Sequence, residues 1–151
     1  MDKAIAEYSE ALMCDPDDAS VKSRLASAYY NRGLVFTSAG DYAKAIEDYS
    51  EAIKNQPEYP LAFSKRGWAY LETGNFDQAI KDFEKLIQFR PDDDQPKKNL
   101  ASVYMKRGIV FDQNRDYINA AADFEMVLKY KPDDNTAREL LEMAKAEMRR
   151  K

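Results

Sequence analysis

Three Arg-Gly pairs, Arg32-Gly33, Arg66-Gly67 and Arg107-Gly108, each open the same series of residues. An aromatic stands three after the glycine (Phe36, Tyr70, Phe111) and another nine after it (Tyr42, Phe76, Tyr117). An alanine follows at twelve (Ala45, Ala79, Ala120), a third aromatic at sixteen (Tyr49, Phe83, Phe124) and a proline at twenty-four (Pro57, Pro91, Pro132). Repetition in register constrains a fold more than any local propensity does. Each unit must bury its apolar face on its neighbour, so the architecture is a stack.

The segments between the punctuating residues read as helices. Ala45, Ile46, Tyr49 and Ile53 fall on one face at helical spacing, with Glu47, Asp48, Glu51 and Lys54 assigned to the other. Phe76, Ala79, Ile80, Phe83 and Leu86 repeat that face, as do Tyr117, Ala120, Phe124, Val127 and Leu128. Each helix should stop just before its proline, which has no N–H to continue the ladder. Ser38-Ala39-Gly40-Asp41 and Glu72-Thr73-Gly74-Asn75 are expected turns, with the glycines at positive φ. Arg115 replaces that glycine in the third unit, and Asn114 is the residue expected to take the left-handed conformation there.

A unit of helix, tight turn, helix and proline resembles the tetratricopeptide repeat (TPR), a unit of 34 residues. The resemblance is carried by the aromatic four before each glycine (Tyr29, Phe63, Tyr104), by the glycine, and by the series above. It covers almost the whole chain. Arg32, Arg66 and Arg107 depart from it, standing where the family often has leucine; the aliphatic stem is expected to lie along the neighbouring helix. Other departures are the third-unit turn glycine and the late small residue of the second helix, kept as Ala52 but replaced by Leu86 and Val127. The resemblance implies an all-α, right-handed α-solenoid of antiparallel helix pairs, with the glycine and the alanine at the close contact within each pair.

Spacing refines this. Pro57 and Pro91 are 34 residues apart, whereas Pro16 to Pro57 and Pro91 to Pro132 each span 41. The seven extra residues precede the first helices of units one and three. Seven is nearly two helical turns, so an extension of that length keeps the apolar face in place. Extended helices near 19–39 and 95–114 are therefore expected, about 10 Å longer than the central one at 60–73. The expected organisation is an unpaired second-type helix at 1–18, repeat units at 19–59, 60–93 and 94–134, and a capping helix at 135–151. The capping helix carries Leu140, Leu141, Ala144 and Met148 inward, with Arg149, Arg150 and Lys151 complementing its dipole. Residues 1–18, with Ala4, Tyr8, Ala11 and Pro16, lack the first helix that would precede them. Either the array is cut there or another molecule fills the place.

Composition bounds the function. Lys and Arg number 23 against 27 Asp and Glu, a net charge of −4 and a pI near 5.0, which argues against a nucleic-acid footprint. No apolar run approaches the roughly 18 residues of a membrane span. The amino terminus reads unlike a signal peptide, and Cys14 is the only cysteine; a reducing, cytoplasmic setting is mildly favoured. Cys14 is expected to be a small buried residue. Histidine is absent, no nucleophile–base arrangement is present, and no glycine run cradles phosphate. The Asp15-Pro16-Asp17-Asp18 and Asp92-Asp93-Asp94 clusters lack the ligand alternation of a calcium loop and read as helix caps. No enzyme activity, metal or cofactor is expected.

The resemblance places the working surface on the concave side, built from first helices. One stripe there holds Leu34, Trp68 and Ile109, one after each glycine, with Tyr30, Ser64 and Met105, three before it. Asn31, Lys65 and Lys106 flank it. Ordinary superhelical packing would instead bury the same residues. The expectation is a non-enzymatic scaffold holding a partner peptide with apolar and acidic groups in this groove. Self-association through residues 1–18 and a regulatory role in a larger protein are the alternatives. Some family members grip the C-terminal carboxylate of Hsp70 or Hsp90 with Lys, Arg and Asn at fixed positions. Tyr30, Leu34, Lys65 and Ser102 occupy those positions here, and only Lys106 keeps the required charge.

Overall fold

The computed structural model describes residues 1–150, and among these the chain is helical throughout, without strands. The helices are α1 Asp2–Cys14, α2 Ala19–Ser38, α3 Tyr42–Asn55, α4 Pro60–Glu72, α5 Phe76–Phe89, α6 Asp94–Gln113, α7 Tyr117–Tyr130 and α8 Asn135–Arg149. Their ends follow local chemistry. Aspartates cap the starts: Asp18 accepts from the Ser20 and Val21 amides at 2.8 and 3.0 Å, Asp93 from Gln95 at 2.9 Å, and Asp134 from Ala137 at 3.0 Å. Each satisfies amides that have no partner inside the helix. The aspartate clusters thus supply caps. α1, α3, α5 and α7 each end two residues before Pro16, Pro57, Pro91 or Pro132.

α2 and α6 have 20 residues and α4 has 13. The seven-residue difference equals the spacing excess, so the inserts are helix. Pro60 opens α4, where its missing N–H costs nothing.

Three turns share one geometry. Gly40 and Gly74 have φ of 76° and 74°, and in the third turn Arg115 takes the same place at φ 61°. Asn114, expected to adopt it, has φ −85°. The reason is the hydrogen-bond pattern: Asp41, Asn75 and Asp116 each donate back to Phe36, Tyr70 or Phe111. That closure requires the left-handed residue immediately before the donor. Arg115 therefore carries a backbone cost that glycine would not. Arg115→Gly should raise stability by about 1 kcal/mol, read as a higher urea midpoint at unchanged m-value.

The chain divides into two units, Met1–Phe89 and Arg90 onward. In the first, α2 packs on α3 and α4 on α5, with α3 also against α4 and α1 against α2. In the second, α6 packs on α7 and α7 on α8. The repeated alanines Ala45, Ala79 and Ala120 and the repeated aromatics Tyr49, Phe83 and Phe124 are all wholly buried. α8 lays Leu141 and Ala144 against Ala120, Ala121 and Phe124, with Leu140 at the edge. Met148 is 41% exposed and borders a depression with Tyr117 and Ile118 at the start of α7. Arg149 stands in the last turn of α8, and Lys151 lies outside the described residues. Cys14 is exposed, contrary to expectation: it is the last residue of α1.

Candidate functional site

The close contact inside each helix pair sets the site. A Cβ on Gly67 would lie 3.0 Å from Phe83 Cζ, tighter than ordinary contact, so glycine admits the ring at that depth without displacing it. Phe83, pressed under Gly67, then meets Trp68 edge to face with centroids 5.7 Å apart and planes at 74°. The indole is fixed along one edge and leaves 38% of its surface open. A large, rigid, amphipathic ring loses little freedom when a ligand covers it.

The other predicted residues are placed unevenly. In the first unit Leu34 and Ser64 are half-buried, while Asn31 and Lys65 are exposed. Tyr30 is half-buried like Leu34 and Ser64. Its ring lies 5.2 Å from Tyr59 and 5.8 Å from Tyr49, and burial, helped by the neighbouring Tyr59, holds its hydroxyl above the usual tyrosine pKa. In the second unit Ile109 is 36% exposed, Lys106 is exposed and Met105 is half-buried. Met105 and Lys106 line a depression of about 220 Å³ with Ser102, Val127, Lys131 and Asp134. Each unit therefore carries its own version of the stripe, on α2 and α4 in one and on α6 in the other.

What orients these helices was missed at the sequence level. Arg32, Arg66 and Arg107 do not merely lay their stems along a neighbour. Arg66 donates from Nε and Nη2 to the two oxygens of Asp82 at 2.9 and 2.8 Å. Arg32 reaches Asp48 at 2.8 and 2.7 Å, and Arg107 reaches Asp123 at 2.8 and 2.7 Å. Each guanidinium also sits over two rings of its own helix, such as Phe63 and Tyr70 for Arg66 at 5.5 and 5.8 Å. The third nitrogen ties units together: Arg66 Nη1 donates to Ser50 Oγ at 3.0 Å, and Arg32 Nη1 to Asp2 at 2.6 Å.

Asp48, Asp82 and Asp123 are buried, which overturns the assignment of Asp48 to the solvent face of α3. Burial pushes the Asp82 carboxyl above the ordinary aspartate value, against the opposing pull of Arg66. The signal was present in the sequence, since an aspartate recurs fifteen after each glycine. Amphipathic averaging hid it, because a charge on a helix edge scores as solvent-facing whether or not an arginine waits across the seam.

Antiparallel helix pairs, joined by glycine-on-aromatic contacts and exposing one face of their first helices, define a helical-repeat protein. Residues 30–94 match the family model described as tetratricopeptide repeat, and the all-helical order of the described residues agrees with that repeat. Among solved structures it resembles the TPR domain of Arabidopsis OM64, 27% identical with a TM-score of 0.50, over 82% of this chain and 96% of that one. The first TPR of Spaghetti (RPAP3), solved bound to the HSP90 peptide SRMEEVD, is 21% identical with a TM-score of 0.50, over 83% and 94% of the two chains. That second likeness is one of fold. No curated protein matches the sequence. No helix among the described residues is long and apolar enough to cross a membrane.

Proposed function

We propose that this chain is a non-enzymatic interaction scaffold that holds a peptide segment of a partner protein against the first-helix stripe. The open, edge-anchored indole of Trp68 carries the reading, supported by Leu34 beside it in the repeat register and by exposed Lys65. Apolar side chains of the partner pack on Leu34 and Trp68, and Lys65 attracts an acidic neighbour. Met105, Lys106 and Ile109 offer the same chemistry on α6, and Tyr30, Asn31 and Ser64 border the first-unit stripe.

A peptide of the SRMEEVD kind is not the expected ligand, because Tyr30, Leu34 and Lys65 replace the polar side chains that would grip its terminal carboxylate. Trp68 is the only tryptophan, so its fluorescence reports ligand arrival directly. Selecting twelve-residue peptides from a random displayed library should enrich sequences with apolar and acidic residues. Trp68→Ala should weaken the selected peptides by about 2 kcal/mol, roughly thirtyfold in Kd, while far-UV dichroism shows a folded chain. Unchanged affinity in that variant would remove the stripe from consideration.

A further inference from the structure

The α6–α7 turn and the end of α8 border an open depression of about 360 Å³, lined by Arg115, Asp116, Tyr117, Ile118 and Met148. Ile118 is 68% exposed and Met148 41%. The first unit has the same place between the start of α3 and the end of α4. In the repeat register Gly40, Ala43 and Thr73 stand there for Arg115, Ile118 and Met148. All three are exposed although α5 follows α4 in that unit. The position is therefore open even where a further helix is present. What differs is the chemistry: a glycine, an alanine and a threonine give way to a guanidinium, an isoleucine and a methionine.

Arg115 sharpens the difference. It holds the turn at φ 61°, a conformation that Gly40 and Gly74 adopt without steric cost. The chain thus loses backbone stability at this turn and gains a cation that glycine could not supply. The Arg115 side chain is exposed and makes no ion pair among the described residues. Asp116, the acidic residue of the lining, is engaged in capping α7. Its carboxylate accepts from the Asn119 amide at 3.3 Å and from Asn119 Nδ2 at 2.7 Å. Arg149, in the last turn of α8, offsets the negative end of that helix. The charge left to meet a ligand is positive, and a planar guanidinium suits a carboxylate through paired hydrogen bonds.

We infer that this depression is a second docking point, for a peptide segment of a partner protein that presents a large apolar side chain beside a carboxylate. The apolar group packs on Ile118 and Met148, and the carboxylate pairs with Arg115. No residue of the site belongs to the stripe on α2, α4 and α6, so it stands whether or not the Trp68 reading does.

The test selects twelve-residue peptides from a random displayed library against the chain carrying Trp68→Ala, then measures the selected peptides, fluorescein-labelled, by anisotropy. The selection should yield peptides that join an aromatic or aliphatic residue to Asp or Glu, and Ile118→Asp should weaken them about tenfold. Ile118 is exposed enough for that change to leave the core intact. Arg115→Gly discriminates best. It should lower affinity about tenfold while raising the urea midpoint, a combination that a merely structural role would not give. Arg115→Glu in the chain, matched with Lys for the acidic residue of the peptide, should restore affinity to within about threefold. Two results would overturn the inference: no selected peptide sensitive to Ile118→Asp, or affinities that ignore Arg115→Gly. Concentration-dependent dimerisation of the peptide-free chain, abolished by Ile118→Asp, would also overturn it by giving the depression to a second copy.

Discussion

Asp82→Ala is expected to destabilise the chain by about 3 kcal/mol, lowering the thermal midpoint by about 10 °C. The loss does not arise because the ion pair is strongly favourable in itself. Asp82 is buried, and its carboxyl is held above the ordinary aspartate value by that burial even with Arg66 at 2.8 Å. Desolvation is thus the larger of the two opposing influences on the carboxylate. Removing the aspartate leaves the Arg66 guanidinium, itself mostly enclosed, with Ser50 as its remaining hydrogen-bond partner. An uncompensated buried charge is the expensive outcome. The discriminating comparison is the double variant Arg66→Leu, Asp82→Ala, which removes both charges and restores the residue type common in the family. It should return to within about 1 kcal/mol of the parent. A double variant as unstable as the single one would show that the arginine stem or the Ser50 link, rather than the unpaired charge, sets the cost.

Gly33→Ala should cost about 1–2 kcal/mol although alanine is the better helix former. A Cβ there would stand 2.7 Å from Tyr49 Cε1 and 2.9 Å from Cδ1. The ring cannot retreat, being wholly buried and tethered through its hydroxyl to Thr37 Oγ1 at 2.8 Å. Overpacking of this kind costs about 1–3 kcal/mol, against a propensity gain of about 1 kcal/mol. Gly67→Ala should be milder, since its nearest approach is 3.0 Å and Phe83 has no hydroxyl tether. Gly40→Ala separates the two causes. Nothing lies within 4 Å of it, so its loss comes only from φ 76°. Urea midpoints at constant m-value would rank the three, and equal losses at Gly33 and Gly67 would argue that contact distance does not control the effect.

Much of the fold was legible before any coordinates. The period placed the helices, the prolines marked their ends, and the seven-residue excess predicted two long first helices, each found at 20 residues. These features are local: a proline, a capping aspartate or an added pair of turns acts within a few residues of itself. Legibility fell where a side chain's partner lies across a seam. Asp48 reads as one more surface charge beside Glu47 and Glu51, yet it is buried under Arg32. The ring contacts of Tyr30 with Tyr59 and Tyr49 could not be read from spacing either. Arg115 reads as unsuited to a left-handed turn and occupies it nonetheless, because the closing bond from Asp116 to Phe111 demands that geometry.

The candidate stripe was half legible for the same reason. Helical spacing placed Trp68 and Leu34 on one face but could not say whether a neighbour covers it. Exposure depends on how close the paired helix comes, and Gly67 decides that by letting Phe83 up beneath the indole.

The amino-acid order alone determined the repeating unit, the helix lengths and the all-α class, since these follow from periodicities and caps written along one strand of chain. Only the tertiary structure decided which charges are buried and paired and which ring of the first helices stays exposed. Those outcomes depend on distances between residues fifteen or more apart, and no local pattern encodes a distance across a helix pair.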